Sequence, residues 1–210
     1  IIVPLFNIRT YFHLNKGLLM RLKKLFLDQY ILIVIAFVFF GGTLSAKETY
    51  TIANSKALQF IYFVSGVPIS GEFYIDRTSF TINFKEEDKS RFNIKIDIAK
   101  STAGFPLATT AMLGSTVLNA KKFPFMEFTS TNILKKEERY EVRGLLNLRG
   151  IKKKVTLFVY SEERYKEDAN ILKFRIESSI NRHDFGASGY SFLVGKEIKL
   201  NSYIKLIKEK

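Results

Sequence analysis

From Tyr50 onward the chain alternates apolar and polar residues with period two, and no other feature limits its fold so tightly. Side chains on a β-strand point alternately to opposite faces, so the pattern describes strands with one oily face and one wet face. Phe92, Ile94, Ile96 and Ile98 alternate with Asn93, Lys95 and Asp97. Leu58, Phe60, Tyr62 and Val64 make an earlier row, followed by Phe73 and Ile75, then Phe80, Ile82 and Phe84. The pattern returns in Leu146 and Leu148, in Val155, Leu157 and Val159, and in Leu172, Phe174, Ile176 and Ile180. Ile198, Leu200, Ile204 and Leu206 close the chain.

Polar or turn-forming residues separate these runs at Asp76-Arg77, 86–90, 135–139, 150–154 and 162–170. Connections this short favour antiparallel neighbours. One stretch breaks the period: Pro106 stands where a helix can start, and Ala108, Ala111, Met112 and Leu113 follow it, which predicts one short helix over 106–118. About eight one-sided strands and a single helix make an all-β sandwich or closed antiparallel barrel. Eight strands either fill their interior or leave room for a ligand, and periodicity alone does not choose.

The segment before Tyr50 has another character. Met20-Arg21-Leu22-Lys23-Lys24 precedes an unbroken apolar run from Tyr30 to Phe40, and Gly41 to Ala46 supplies small residues. This is the layout of a signal peptide over 20–46, cut after Ala46, and the run is too short for a comfortable membrane span. Export to the periplasm is the expectation. The first residue is Ile, so residues 1–19 are read as an extension from an upstream start, and 47–210 as the mature domain.

Cysteine is absent, which excludes a disulfide framework, a thiolate metal site and a Cys nucleophile. Of the net +13, residues 1–46 hold Arg9, Lys16, Arg21, Lys23, Lys24 and Asp28, leaving +9 to the domain. Such a surplus serves nucleic acid, anionic membrane surfaces or merely a solvated basic face. The basic residues are spread over strands and loops and an export signal precedes them, so nucleic acid is not an expected partner.

Several segments resemble the YceI-like family of polyisoprenoid-binding, lipocalin-like proteins. Val142-Arg143-Gly144-Leu145-Leu146-Asn147-Leu148-Arg149-Gly150, leading into Lys152-Lys153-Lys154-Val155, resembles that family's strand–turn–strand. Phe123-Pro124-Phe125-Met126-Glu127-Phe128-Thr129-Ser130 is similar to its Pro-x-x-x-Phe-x-Ser strand, and Arg182-His183-Asp184-Phe185-Gly186 to its Arg-x-Asp-Phe-Gly turn. Gly71-Glu72-Phe73 and Ile96-Asp97-Ile98 fall between in order, while Tyr50 and Lys154 replace a family Trp and Pro. The resemblance implies an extended eight-stranded antiparallel lipocalin-like barrel, often dimeric, enclosing an isoprenoid chain without covalent chemistry or a catalytic cofactor.

On that reading the apolar parity lines a tunnel. The candidates are Leu58, Phe60 and Tyr62; Phe73 and Ile75; Phe80, Ile82 and Phe84; Ile94 and Ile96; Leu113; and Phe128. Leu146 and Leu148, Leu157, Phe174 and Ile176, and Phe185 complete the set. The bland alternative is that these side chains pack one another. Lys152 to Lys154 could meet anionic headgroups or a membrane surface.

Arg182, Asp184 and Gly186 read as a structural turn pinned by an ion pair or hydrogen bonds; the alternative is an acid–base cluster around His183. His183 is the one histidine after residue 46, and neither a Gly-x-Ser-x-Gly elbow nor a His-x-x-x-His pair accompanies it. No metal site and no enzyme are therefore expected. The competitors are an outer-membrane structural barrel and, more remotely, a secreted hydrolase using His183.

Overall fold

The computed structural model describes residues 47–53, 57–163 and 169–209. The expected extension (1–19) and signal peptide (20–46) lie outside the described residues. Nine strands run in chain order: β1 (Glu48–Ile52), β2 (Ala57–Val64), β3 (Val67–Ile82), β4 (Arg91–Thr102), β5 (Phe125–Lys135), β6 (Tyr140–Leu148), β7 (Ile151–Ser161), β8 (Ile171–Asn181) and β9 (Glu197–Lys208). Every paired neighbour is antiparallel, and β3–β4 and β1–β9 pairings close the sheet on itself. β1 and β2 share one place in the ring, because both lie between β3 and β9 at successive heights. The result is an eight-stranded antiparallel barrel with, among the described residues, a single α-helix, α1 (Pro106–Leu113).

Two sequence boundaries move. Asp76-Arg77 is no hairpin: β3 runs unbroken for 16 residues and absorbs the pair as a register shift between Ile75 and Arg77. Two consecutive exposed residues are what a β-bulge requires, so a bulge and a turn share this signature. Likewise the tight turn after β6 is Arg149-Gly150 alone, with Leu148 opposite Ile151, so the lysines at 152–154 belong to strand β7. Positive φ at both turn residues, 55° and 78°, fits the two-residue hairpin that matches strand twist.

Helix α1 starts as anticipated, with Phe105 extended and Pro106 in the first turn, but it ends at Leu113 and not at 118. Gly114 is extended and donates its N–H to the Ala111 carbonyl. Thr109 ties the helix to β4, since its Oγ1 accepts from the Ala103 N–H at 3.0 Å and donates to the Phe105 carbonyl at 2.9 Å.

The barrel has two unlike ends. The turn at 65–66 and the connections 103–124, 149–150 and 182–196 meet at one end: Ser65 N–H donates to the Leu193 carbonyl, Gly189 N–H to Thr116, and Arg149 to Ser115. The connections 83–90 and 136–139, with residues 162–163 and 169–170, lie at the other. That far half is packed solid by Tyr50, Phe80, Ile133, Val142, Leu172 and Leu206, all nearly or wholly inaccessible. One ladder is incomplete: β7 pairs with β8 only over Phe158–Ser161, and above it a single Ser178 Oγ–Thr156 carbonyl hydrogen bond of 2.9 Å spans the seam.

A candidate ligand cavity and its mouth

Above the packed half, the barrel encloses a cavity of about 460 Å³. Its walls come from the inner faces of β2–β9, and its roof from α1 and the 187–194 segment. Ser178 and Arg182 are among the few polar side chains at its edge.

Eleven sequence-proposed residues lie on this wall: Leu58, Phe60 and Tyr62 on β2, Phe73 on β3, Ile94 and Ile96 on β4, Phe128 on β5, Leu146 and Leu148 on β6, Leu157 on β7 and Ile176 on β8. The other seven do not. Ile75, Phe80 and Ile82 share the inner face but sit in the filled half, where they pack as core. Phe84 lies beyond β3, edge-on to Tyr50 at 6.4 Å. Leu113 is half-buried against the core at the end of α1. Phe174 borders a separate groove of about 170 Å³ with Ile52, Tyr203 and Ile204, and Phe185 is 2% exposed within the 182–185 turn. Parity separates inside from outside but carries no information about height along the barrel axis.

The same rows held wall residues that were not singled out, among them Val64, Met126, Val155, Ile180, Ile198 and Leu200. Met112, Leu107, Tyr190 and Leu193 come from the roof, where no strand period exists to reveal them.

Two glycines shape the bore. Phe60 folds over Gly71 and Phe128 over Gly144, each ring lying in the space a neighbouring side chain would occupy. A Cβ on Gly71 would come within 2.6 Å of the Thr102 carbonyl oxygen and 2.7 Å of Phe60 Cε1. One on Gly144 would come within 2.5 Å of the Thr129 carbonyl oxygen and 2.6 Å of Phe128 Cε2. Phe60 stacks on Phe73 with centroids 4.0 Å apart, which holds it flat.

The roof is fastened by two polar anchors. Tyr62 donates its hydroxyl to the buried Ala103 carbonyl at 2.9 Å, and burial pushes this phenol up from its ordinary value. Arg182, 4% exposed, donates Nε to Gly195, Nη1 to Ala187 and Gly189, and Nη2 to Val194, all backbone carbonyls of the loop that roofs the cavity. No carboxylate among the described residues pairs with it, and burial alone pulls the guanidinium down from its ordinary value. A guanidinium stays charged all the same. The Arg182–Asp184 ion pair is not formed; hydrogen bonds do the pinning. Gly186 closes the turn with φ of 69°.

His183 is exposed, and its Nε2 lies 3.2 Å from Ser191 Oγ, a partner the sequence pattern did not suggest. That hydroxyl also donates to the Ser188 carbonyl, and no carboxylate among the described residues bonds the other ring nitrogen. A nucleophile–base–orienter triad is incomplete here.

A closed eight-stranded barrel with an apolar chamber under a helical and loop roof defines the class as a lipocalin-like barrel. Residues 50–206 match the YceI-like domain, and the chain belongs to that family. The UPF0312 protein plu2095 of Photorhabdus laumondii is 32% identical over 79 residues, which cover 38% of this chain. The match spans 41% of that relative's length. Among solved structures, Burkholderia cenocepacia BcnA superposes with a TM-score of 0.64 at 19% identity, covering 71% of this chain and 94% of its own. The Campylobacter jejuni YceI protein gives 0.54 at 22%, covering 66% and 84%. A polyisoprenoid binding domain from Saccharophagus degradans, implicated in plant cell wall breakdown, gives 0.55 at 12%, covering 78% and 100%. At these identities the likeness is one of fold.

Proposed function

We propose that this protein is a non-catalytic carrier for a long-chain isoprenoid lipid, of polyprenyl or quinone type, and that it works in the periplasm. The observation that carries the reading is the 460 Å³ chamber, whose wall is almost wholly apolar and whose volume falls in the ordinary range for ligand sites. Taking a methylene to fill about the 30 Å³ that one water occupies in the liquid, it holds roughly fifteen such groups, or about three five-carbon units. The rest of a longer chain would continue through the mouth. Burial of each methylene contributes about 0.8 kcal/mol before association costs are subtracted. The polyisoprenoid-binding neighbour and the export-type leader support the ligand class and the compartment. A membrane surface as the place of loading, and pairing of two copies, belong to the same proposal.

An outer-membrane structural barrel needs an apolar outer belt and a polar lumen. Here the faces are reversed, with Lys173, Arg175 and Glu177 on the outer parity of β8 and Ile176 on the cavity wall. The incomplete His183 constellation gives hydrolysis no comparable footing.

Mass spectrometry of an organic extract from detergent-free protein is expected to show a stoichiometric prenyl lipid. Val155→Trp, on the half-buried wall beside the seam, is expected to reduce that lipid by about tenfold while leaving the circular dichroism spectrum unchanged. A lipid-free wild type would refute the proposal.

A further inference from the structure

The chamber opens where its own lining becomes exposed: Phe105 (45%), Leu107 (78%), Tyr190 (47%) and Leu193 (43%) are wall residues and surface residues at once. Phe192, beside them, is 85% exposed. The Gly189 N–H to Thr116 carbonyl bond of 2.8 Å joins the 187–194 segment to the loop after α1, so both lips belong to one rim. Leu107 and Phe192 are left largely uncovered by the described residues, which is costly unless something oily covers them.

Charge is distributed along the same axis. The connections at the mouth carry Lys121, Lys122, Arg149, Arg182 and Lys196 against Asp184 alone. At the closed end, the described connections carry Lys85, Lys89, Lys136 and Arg139 against Glu86, Glu87, Asp88, Glu137, Glu138, Glu162 and Glu163. Across these described connections, charge is net positive around the apolar mouth and net negative at the plugged end. An anionic surface attracts the first end and repels the second.

We propose that the mouth is a docking face for an anionic lipid bilayer, with Leu107 and Phe192 inserting among the acyl chains and Lys121, Lys122 and Lys196 resting on the headgroups. This rests on the carrier reading, since it places the chamber's opening against the phase from which an oily ligand would come. A ligand could then move between bilayer and chamber without crossing water. Apolar insertion supported by flanking lysines is how interfacial proteins hold to membranes.

Flotation of the full chain with phosphatidylcholine vesicles, alone or mixed with phosphatidylglycerol, tests this. Binding is expected only to the mixed vesicles and is expected to weaken with salt. The double variant Leu107→Asp/Phe192→Asp, and separately Lys121→Glu/Lys122→Glu, are expected to bind about tenfold more weakly. These positions are exposed, so melting curves should match wild type. Val155→Trp is expected to float normally while carrying less lipid, which separates loss of docking from loss of cargo. Equal binding to neutral vesicles, or unchanged flotation of the Leu107/Phe192 variant, would overturn the proposal. So would a dimer that the same variant dissociates without vesicles, because a second copy would then be what covers the lips.

Discussion

Replacing Arg182 with leucine is expected to lower the unfolding free energy by about 3–5 kcal/mol, the range for removing one member of a buried, charge-assisted network. The size follows from what is left behind. The carbonyls of Ala187, Gly189, Val194 and Gly195 lose their donor together; the Ala187 bond is buried and the other three are partly buried, and a fully buried acceptor without a partner costs about 1–3 kcal/mol. Some regain water as the loop loosens, which keeps the total below the simple sum. Urea titration should show a lower midpoint with an unchanged slope. Arg182→Lys is expected to recover little, because an ammonium cannot span four carbonyls fixed around a planar fork. His183→Ala removes only an exposed contact with Ser191 and is expected to stay within about 0.5 kcal/mol of wild type. Equal losses at positions 182 and 183 would contradict this account of the loop.

The second large effect is expected from adding a single methyl at Gly71 or Gly144. Each Cβ would meet both a phenylalanine ring and a carbonyl oxygen of the adjoining strand. The oxygen cannot leave, so the ring must rise from the wall into the bore. Overpacking of this kind costs about 1–3 kcal/mol in stability. Ligand affinity is expected to fall further. A displaced ring takes the room of about three methylenes, each worth about 0.8 kcal/mol, so the weakening is on the order of fiftyfold. Titration with a fluorescent apolar probe measures the second effect and thermal melting the first. Pairing Gly144→Ala with Phe128→Leu should restore binding, since the smaller side chain vacates the disputed space. Failure of that rescue would mean that the glycine serves the backbone alone.

Much of this molecule is legible in its sequence because a barrel makes inside and outside a matter of odd and even. The alternation in β4 and β8 names the inward residues correctly, and the family resemblance supplies closure, which alternation cannot. Height is the missing coordinate. Ile75 and Phe73 have the same parity on one strand, yet the first is packed core and the second faces the cavity. The difference is made by partners distant in sequence, such as Val142 and Leu172, that fill one half of the bore. The roof was hidden for another reason. Tyr190, with φ of 57°, and Leu193 stand in an irregular loop held by backbone carbonyls on Arg182, and no repeat marks such a segment. Asp76-Arg77 misled because a bulge and a hairpin use the same two-residue polar signature.

The half-open ladder between β7 and β8 makes the barrel's stiffness uneven. Elsewhere, parting two strands means breaking a row of backbone bonds in concert, whereas above Phe158 one serine hydroxyl does most of the fastening. Stress from an overfilled interior is therefore relieved along this line first, while the plugged half keeps its shape. The container has a built-in pleat, so its capacity is set by how far one side can give and not by the resting volume alone.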